Sequence, residues 1–223
     1  MGKLILVIGE PGTGKSRAIK NLDPETTMII KPNNKDLPFA GSRTLWNEEK
    51  QNVFYTKDFS ELRTILSEIN KGKRFKTIIV EDISHFFSDR VIREASIKGF
   101  EKWNMFAADV YKGLLGLDGE LRDDLYIILI GHVDFVEDTS GNRVISLLTP
   151  GKMLDRSIKI SSYVTYILHT NVISKDEKIE YTFLTNKDGS SREAKSPEGC
   201  LDLFEPNDYN HIINKIEKYQ NKK

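Results

Sequence analysis

Hydrophobic and polar positions along this chain fall into blocks of two kinds. Short, nearly unbroken apolar runs occur at Leu4–Ile8 and within 27–31, 76–81 and 125–131. Runs of that length, rich in β-branched residues, read as parallel strands covered on both faces. The strand expectations are 3–8, 27–31, 76–81, 125–131, 163–170 and 178–185. Other blocks repeat at three and four, which predicts helices over 15–22, 58–71, about 88–115 and 207–220. In the longest, Ile92, Ala95, Phe100, Trp103, Ala107, Val110, Tyr111 and Leu114 form the apolar face, and Gly99 is placed to kink or interrupt it. At this spacing Trp103 reads as core packing rather than base stacking. The last helix carries Tyr209, Ile212, Ile213, Ile216 and Tyr219 on one face.

Strands and helices alternate through the first 130 residues, which predicts a parallel sheet with crossover helices. The pattern then changes. "HVDFVEDTSGNRVISLL" predicts a hairpin turning at Ser140-Gly141-Asn142, and "YVTYILHTNVISKDEKIEYTFLTN" a second turning near Ser174-Lys175-Asp176. The expected fold is a single α/β domain over 1–223. It has a core at 1–131, an antiparallel β-hairpin extension at 132–205 and a C-terminal helix at 206–223.

Composition narrows the picture. A chain of 223 residues suits one domain with a substantial core. Lys+Arg and Asp+Glu both total 33, so the net charge is zero, which argues against a strongly basic nucleic-acid binder but leaves room for a local patch. The lone Cys200 allows no internal disulfide and suits a reducing compartment. No apolar run approaches membrane-spanning length, and Met1-Gly2-Lys3 does not lead into a signal-peptide pattern. The expected setting is the cytoplasm, with no membrane partner.

Chemistry concentrates where the first strand ends. Gly9-Glu10-Pro11-Gly12-Thr13-Gly14-Lys15-Ser16 fits G-x-x-x-x-G-K-[ST] at every fixed position. Glycines at 9, 12 and 14 let backbone amides approach an anion, and a helix starting near Lys15 would add its positive end. Lys15 can neutralise β- and γ-phosphate oxygens, Ser16 can place a hydroxyl on Mg²⁺, and Arg17 follows directly. An unliganded strand–helix turn could use the same glycines, but it has no need of the Gly-Lys-Ser sequence. A dinucleotide loop has no need of it either.

A phosphate loop needs a carboxylate at the end of a neighbouring buried strand to hold the Mg²⁺ shell. "KTIIVEDISHFF" supplies Glu81 and Asp82. Glu81 is expected on the metal side, with Asp82 as the candidate base, although both qualify as metal ligands. The next buried strand ends at Gly131-His132, where His132 is either a γ-phosphate sensor or a hydrogen-bonded turn residue. Lys152, Arg156, Arg192 and Lys195 lie on later loops, as phosphate-reaching fingers or as plain surface charges.

The order GEPGTGKS, IIVEDISHFF, ILIGHVD, LTPGKMLD, NKDGSSREAKSPEG resembles a family of bacteriophage ATP-binding proteins. These are RecA-like, AAA-type P-loop ATPases grouped with the Sak-type single-strand annealing proteins. The likeness spans roughly 3–204. It implies a RecA-type core, ATP and Mg²⁺ as ligands, and DNA recombination or replication in a phage-infected bacterial cell. Single-stranded DNA, other phage recombination or replication proteins, or further copies of the chain would be the partners. RecA-like enzymes often carry a glutamate after the second strand. Here that strand ends in Lys31-Pro32-Asn33 and the next acid is Asp36, so either Asp36 or the Glu81-Asp82 pair stands in, or hydrolysis is slow. For DNA the candidate contacts are "KPNNK" with Trp46, and "KGKRFK" at 71–76. Two other functions fit the same loop. One is a small nucleoside or nucleotide kinase, with Asp89-Arg90 as a weak signature. The other is a nucleotide-gated interaction module with little turnover.

Overall fold

The computed structural model describes residues 3–116, 120–137, 141–175 and 178–221. The first apolar run forms β1 (Lys3–Ile8), buried from Leu4 onward. β2 (Thr27–Lys31), β3 (Val53–Tyr55), β4 (Thr77–Val80) and β5 (Tyr126–Gly131) follow in the same sheet. β1 pairs in parallel with β5, β5 with β4, β4 with β2, and β2 with β3. Because side chains alternate along β1, Leu4, Leu6 and Ile8 enter one core while Ile5 and Val7 enter the other. The sheet is therefore covered on both faces, as its unbroken apolar strands require.

One face is closed by α2 (Phe59–Lys71), α3 (Ile83–Arg93) and α4 (Glu101–Val110), which bring Phe59, Phe86, Phe87 and Phe106 together. Asp58 caps α2 by accepting from the amides of Ser60 and Glu61. The opposite face is closed by a 3-10 helix (Ser16–Asn21), the short α1 (Ser42–Leu45) with Trp46, and the last helix.

The long helix expected at 88–115 is instead two helices. α3 begins earlier, at Ile83, and stops at Arg93, while Gly99 takes φ +97° before α4 starts. A π-helical turn (Tyr111–Leu115) continues α4. Trp103 packs on Phe106 beside the core, as its spacing predicts. The helix expected at 15–22 is only a six-residue 3-10 segment.

Both hairpins form, in different places. β6 (Val133–Glu137) and β7 (Arg143–Leu147) pair antiparallel as a separate two-stranded sheet. Of the expected turn, Gly141 takes φ +81° and Ser140 lies outside the described residues. α5 (Lys152–Ser157) and α6 (Ile160–Tyr163) then lead into β8 (Tyr166–Lys175). β8 is parallel to β1 and so belongs to the main sheet, although residues 132–205 read as an appended extension. β9 (Lys178–Leu184) pairs antiparallel with β8, and β10 (Phe204–Pro206) with β9. Ser174 and Lys175 remain within β8, and Asp176 lies outside the described residues. The sheet order is β10-β9-β8-β1-β5-β4-β2-β3. The final helix, α7 (Tyr209–Gln220), buries Tyr209, Ile212, Ile213 and Ile216 on the expected face and docks beside the 3-10 helix. No helix among the described residues is long and apolar enough to cross a membrane.

Candidate functional site

The C-terminal ends of β1, β5, β4 and β2 border a cleft of roughly 360 Å³, the place where ligands commonly sit in open α/β sheets. Its walls are the loop at 11–17, the segment after β2 with Asn33, Lys35 and Asp36, the acid pair Glu81 and Asp82, and His132. Pro11, Gly12, Gly14, Lys15, Ser16 and Arg17 all line it. Glu10, Gly9 and Thr13 are outside this lining; Glu10 is exposed, Gly9 buried and Thr13 half-buried.

The loop is held by packing beneath it as well as by its glycines. Gly12 and Gly14 take φ +79° and +100°, a region that side chains disfavour. Gly9 is required for a different reason: a Cβ there would lie 1.7 Å from Thr170 Oγ1 at the end of β8. Thr13 donates its hydroxyl to the Glu10 carbonyl at 2.7 Å. From beyond the loop, Tyr209 of α7 donates to the Lys15 carbonyl at 2.8 Å.

Lys15 turns back over this frame. Its ammonium donates to the carbonyls of Gly9 at 2.6 Å and Glu10 at 2.8 Å. The residue is only 9% exposed. Burial lowers its pKa to about 8, against the opposing pull of Asp82. His132 Nδ1 lies 3.5 Å from the same ammonium.

The acid pair does not adjoin the loop strand, because β5 runs between β1 and β4. This interposition places His132, at the end of β5, between Lys15 and Asp82. His132 Nε2 lies 3.5 Å from Asp82 Oδ2, and His85 Nε2 approaches the same oxygen at 3.4 Å. Burial pushes the Asp82 carboxyl upward, but the hydrogen bond and charge from His132, with His85 and Lys15, outweigh it and leave the pKa below the ordinary value. Asp82 takes φ +56°, and its Oδ1 is buried without a partner. Glu81 behaves in the opposite way. Burial raises its pKa, although a hydrogen bond from Ser16 and the charge of Lys31 resist the rise. Lys31 Nζ lies 3.9 Å from Glu81 Oε2 and is itself lowered by burial. The two carboxylates thus divide: Glu81 with Ser16 and Lys31, Asp82 with the histidines.

Ser16 and Glu81, both in the cleft lining, are oxygen donors of the kind a hard cation takes. Among the described residues, no cluster of three or more His, Cys, Asp and Glu side chains is set to hold a metal.

The four loop cations lie outside the cleft lining. Arg192 is bound to Asn171 at 2.8 Å and Asp188 at 2.6 Å, and Lys195 donates to the Ser161 carbonyl at 2.8 Å. Lys152 and Arg156 are exposed on α5. Asp36 reaches the cleft but is paired with Arg43 at 2.7 and 2.8 Å. Neither expected DNA contact presents a ring. Trp46 is 5% exposed in the core, and Phe75 is buried beneath Arg74. Asp89 and Arg90 form ion pairs on α3, Arg90 with Asp109 at 2.7 Å and Asp89 with Arg93, and neither lines the cleft.

Sequence reading did not tie Lys31, Thr170, Tyr181, Asn207 or Tyr209 to this site. Lys31 was visible as a cation closing an apolar strand. The other four approach the loop only through β8, β9, the β10–α7 connection and α7, and no local pattern marks them. No protein-family model matches this chain, and no curated protein sequence matches it.

Proposed function

We propose that this chain is a RecA-like P-loop protein that binds Mg-ATP in the cleft at 11–17 and hydrolyses it slowly. The observation that carries the proposal is the convergence of three features on one cleft. Lys15 is held against loop carbonyls, Ser16 and Glu81 line the same cleft, and Asp82 is paired with His132. Phosphate oxygens offer the Lys15 ammonium stronger, charge-assisted partners than the carbonyls it now uses. Ser16 and Glu81 would hold Mg²⁺, which would neutralise charge developing on the β- and γ-phosphates. Asp82, ionised near neutrality and steadied by His132, orients the attacking water and accepts its proton. His132, in reach of both Lys15 and Asp82, senses the γ-phosphate.

Slow turnover follows from the surroundings of the base. The strand that would carry a second acid ends in Lys31, which faces Glu81, and Asp36 is committed to Arg43. These same observations favour the nucleotide-gated module as the second reading. The motif order supplies the setting: phage DNA recombination or replication, with single-stranded DNA, phage proteins or further copies of the chain as partners.

Steady-state phosphate release from ATP separates the readings. Slow release that disappears in Lys15→Ala is expected. Release equal in wild type and Lys15→Ala would overturn the assignment. ATP bound without release would favour the module, and label transferred to a nucleoside or nucleotide acceptor would favour a kinase.

A further inference from the structure

The magnesium end of the cleft leaves one direction for the nucleoside. Glu81 follows β4, two strands from β1 on one side, and β9 lies two strands from β1 on the other. At strand spacings near 4.8 Å, each lies about 10 Å from the loop strand. A triphosphate whose γ end meets Glu81 and His132 therefore sends its sugar and base toward β9. There the cleft presents the ring of Tyr181, the one Phe, Tyr or Trp side chain in its lining among the described residues.

Tyr181 is pressed against the phosphate loop. A Cβ on Gly14 would lie 2.9 Å from Tyr181 Cδ1 and about as near to the Asn207 amide. The Arg17 guanidinium lies 4.8 Å from the Tyr181 ring centroid, with Nη1 3.5 Å from Asn207 Oδ1. Arg17 is exposed, with its guanidinium carbon over the Tyr181 ring. A planar cation backed by an aromatic ring is a stacking surface.

We infer that Arg17, backed by Tyr181 and steadied by Asn207, is the shelf on which the base of the nucleotide stacks; this rests on the proposed nucleotide site. Stacking reads a π-face rather than a hydrogen-bonding edge. The shelf thus favours purine nucleotides over bare polyphosphate while discriminating little between adenine and guanine.

Calorimetric titration with Mg-ATP, Mg-GTP and magnesium tripolyphosphate tests this. Wild type should bind the two nucleotides with similar affinity and tripolyphosphate roughly tenfold more weakly. Arg17→Lys keeps the charge but loses the plane. It should bring ATP affinity down to that of tripolyphosphate, whose own affinity is unchanged. Tyr181→Ala should act in the same direction, and Tyr181→Phe should retain the preference; Tyr181→Phe also serves if the alanine variant fails to fold. An ATP advantage that survives in Arg17→Lys, or equal wild-type binding of ATP and tripolyphosphate, would overturn the shelf and leave the phosphate site intact. Folded wild type that binds none of the three would overturn the phosphate site itself, and the shelf with it.

Discussion

The hydroxyls of Thr13 and Thr170 meet at 2.5 Å, joining the glycine-rich loop after β1 to the end of β8 across 157 positions of sequence. The Thr170 hydroxyl also lies 3.3 Å from the Ile8 carbonyl. Gly9 crosses Thr170 at a distance that no larger residue fits. Gly9→Ala should therefore cost roughly 1–3 kcal/mol, as overpacking does. Thr170→Ala removes the obstructing oxygen, so the same Gly9 change should cost clearly less in its background. Thermal melts of the two single variants and the double variant measure the coupling. Strictly additive losses would show that the two residues do not constrain one another.

In the proposed site, Lys15 would make nucleotide affinity depend on pH. Its pKa in the free protein is about 8, and phosphate oxygens favour its charged form. Affinity should fall as the pH rises through 8, and binding there should take up a proton. Titrations at pH 8.5 in buffers of different ionisation enthalpy would detect that uptake. The free protein shows the companion effect on stability. The folded pKa lies below the ordinary 10.5, so above pH 8 the unfolded chain holds the extra proton. The Lys15 contribution to stability thus grows as pH rises from 8 toward 10.5, and it is lost as pH falls through 8.

Asp82 provides the cleanest separation of binding from turnover. Asparagine tolerates the left-handed backbone this position requires. Asp82→Asn should therefore fold, bind Mg-ATP nearly as wild type does, and lose turnover by roughly a hundredfold. Single-turnover phosphate release beside a binding titration tests this. Unchanged turnover would remove Asp82 from the chemistry.

Trp46 is a core residue, and its loss should appear in stability alone. Trp46→Ala should cost about 3–5 kcal/mol in chemical denaturation. Filter binding of labelled single-stranded DNA, at a temperature where the variant stays folded, should show wild-type behaviour. A selective loss of DNA binding would return this ring to an interface.

Much of this was legible because strands buried on both faces announce themselves as apolar runs. β1 and β2 match their expected spans end to end, and α2 begins one residue after its expected start. The loop at 11–17 was legible as a site candidate because its pattern is local, and its residues do line the cleft. Short or interrupted elements were not. α1 and β3 are too brief to show a period, and the apolar spacing ran straight through the break at Gly99. The strand order was hidden as well, since no residue on β4 or β5 records which lies beside β1. For the same reason Tyr181 and Thr170 looked like ordinary hairpin residues until β8 and β9 were seen to join the sheet beside the loop.

The most direct test is calorimetric titration of the folded protein with Mg-ATP at pH 7, beside Lys15→Ala. One-to-one association in wild type that vanishes in Lys15→Ala is the predicted result. Absence of association in wild type, or equal association in both proteins, would contradict a phosphate site centred on Lys15.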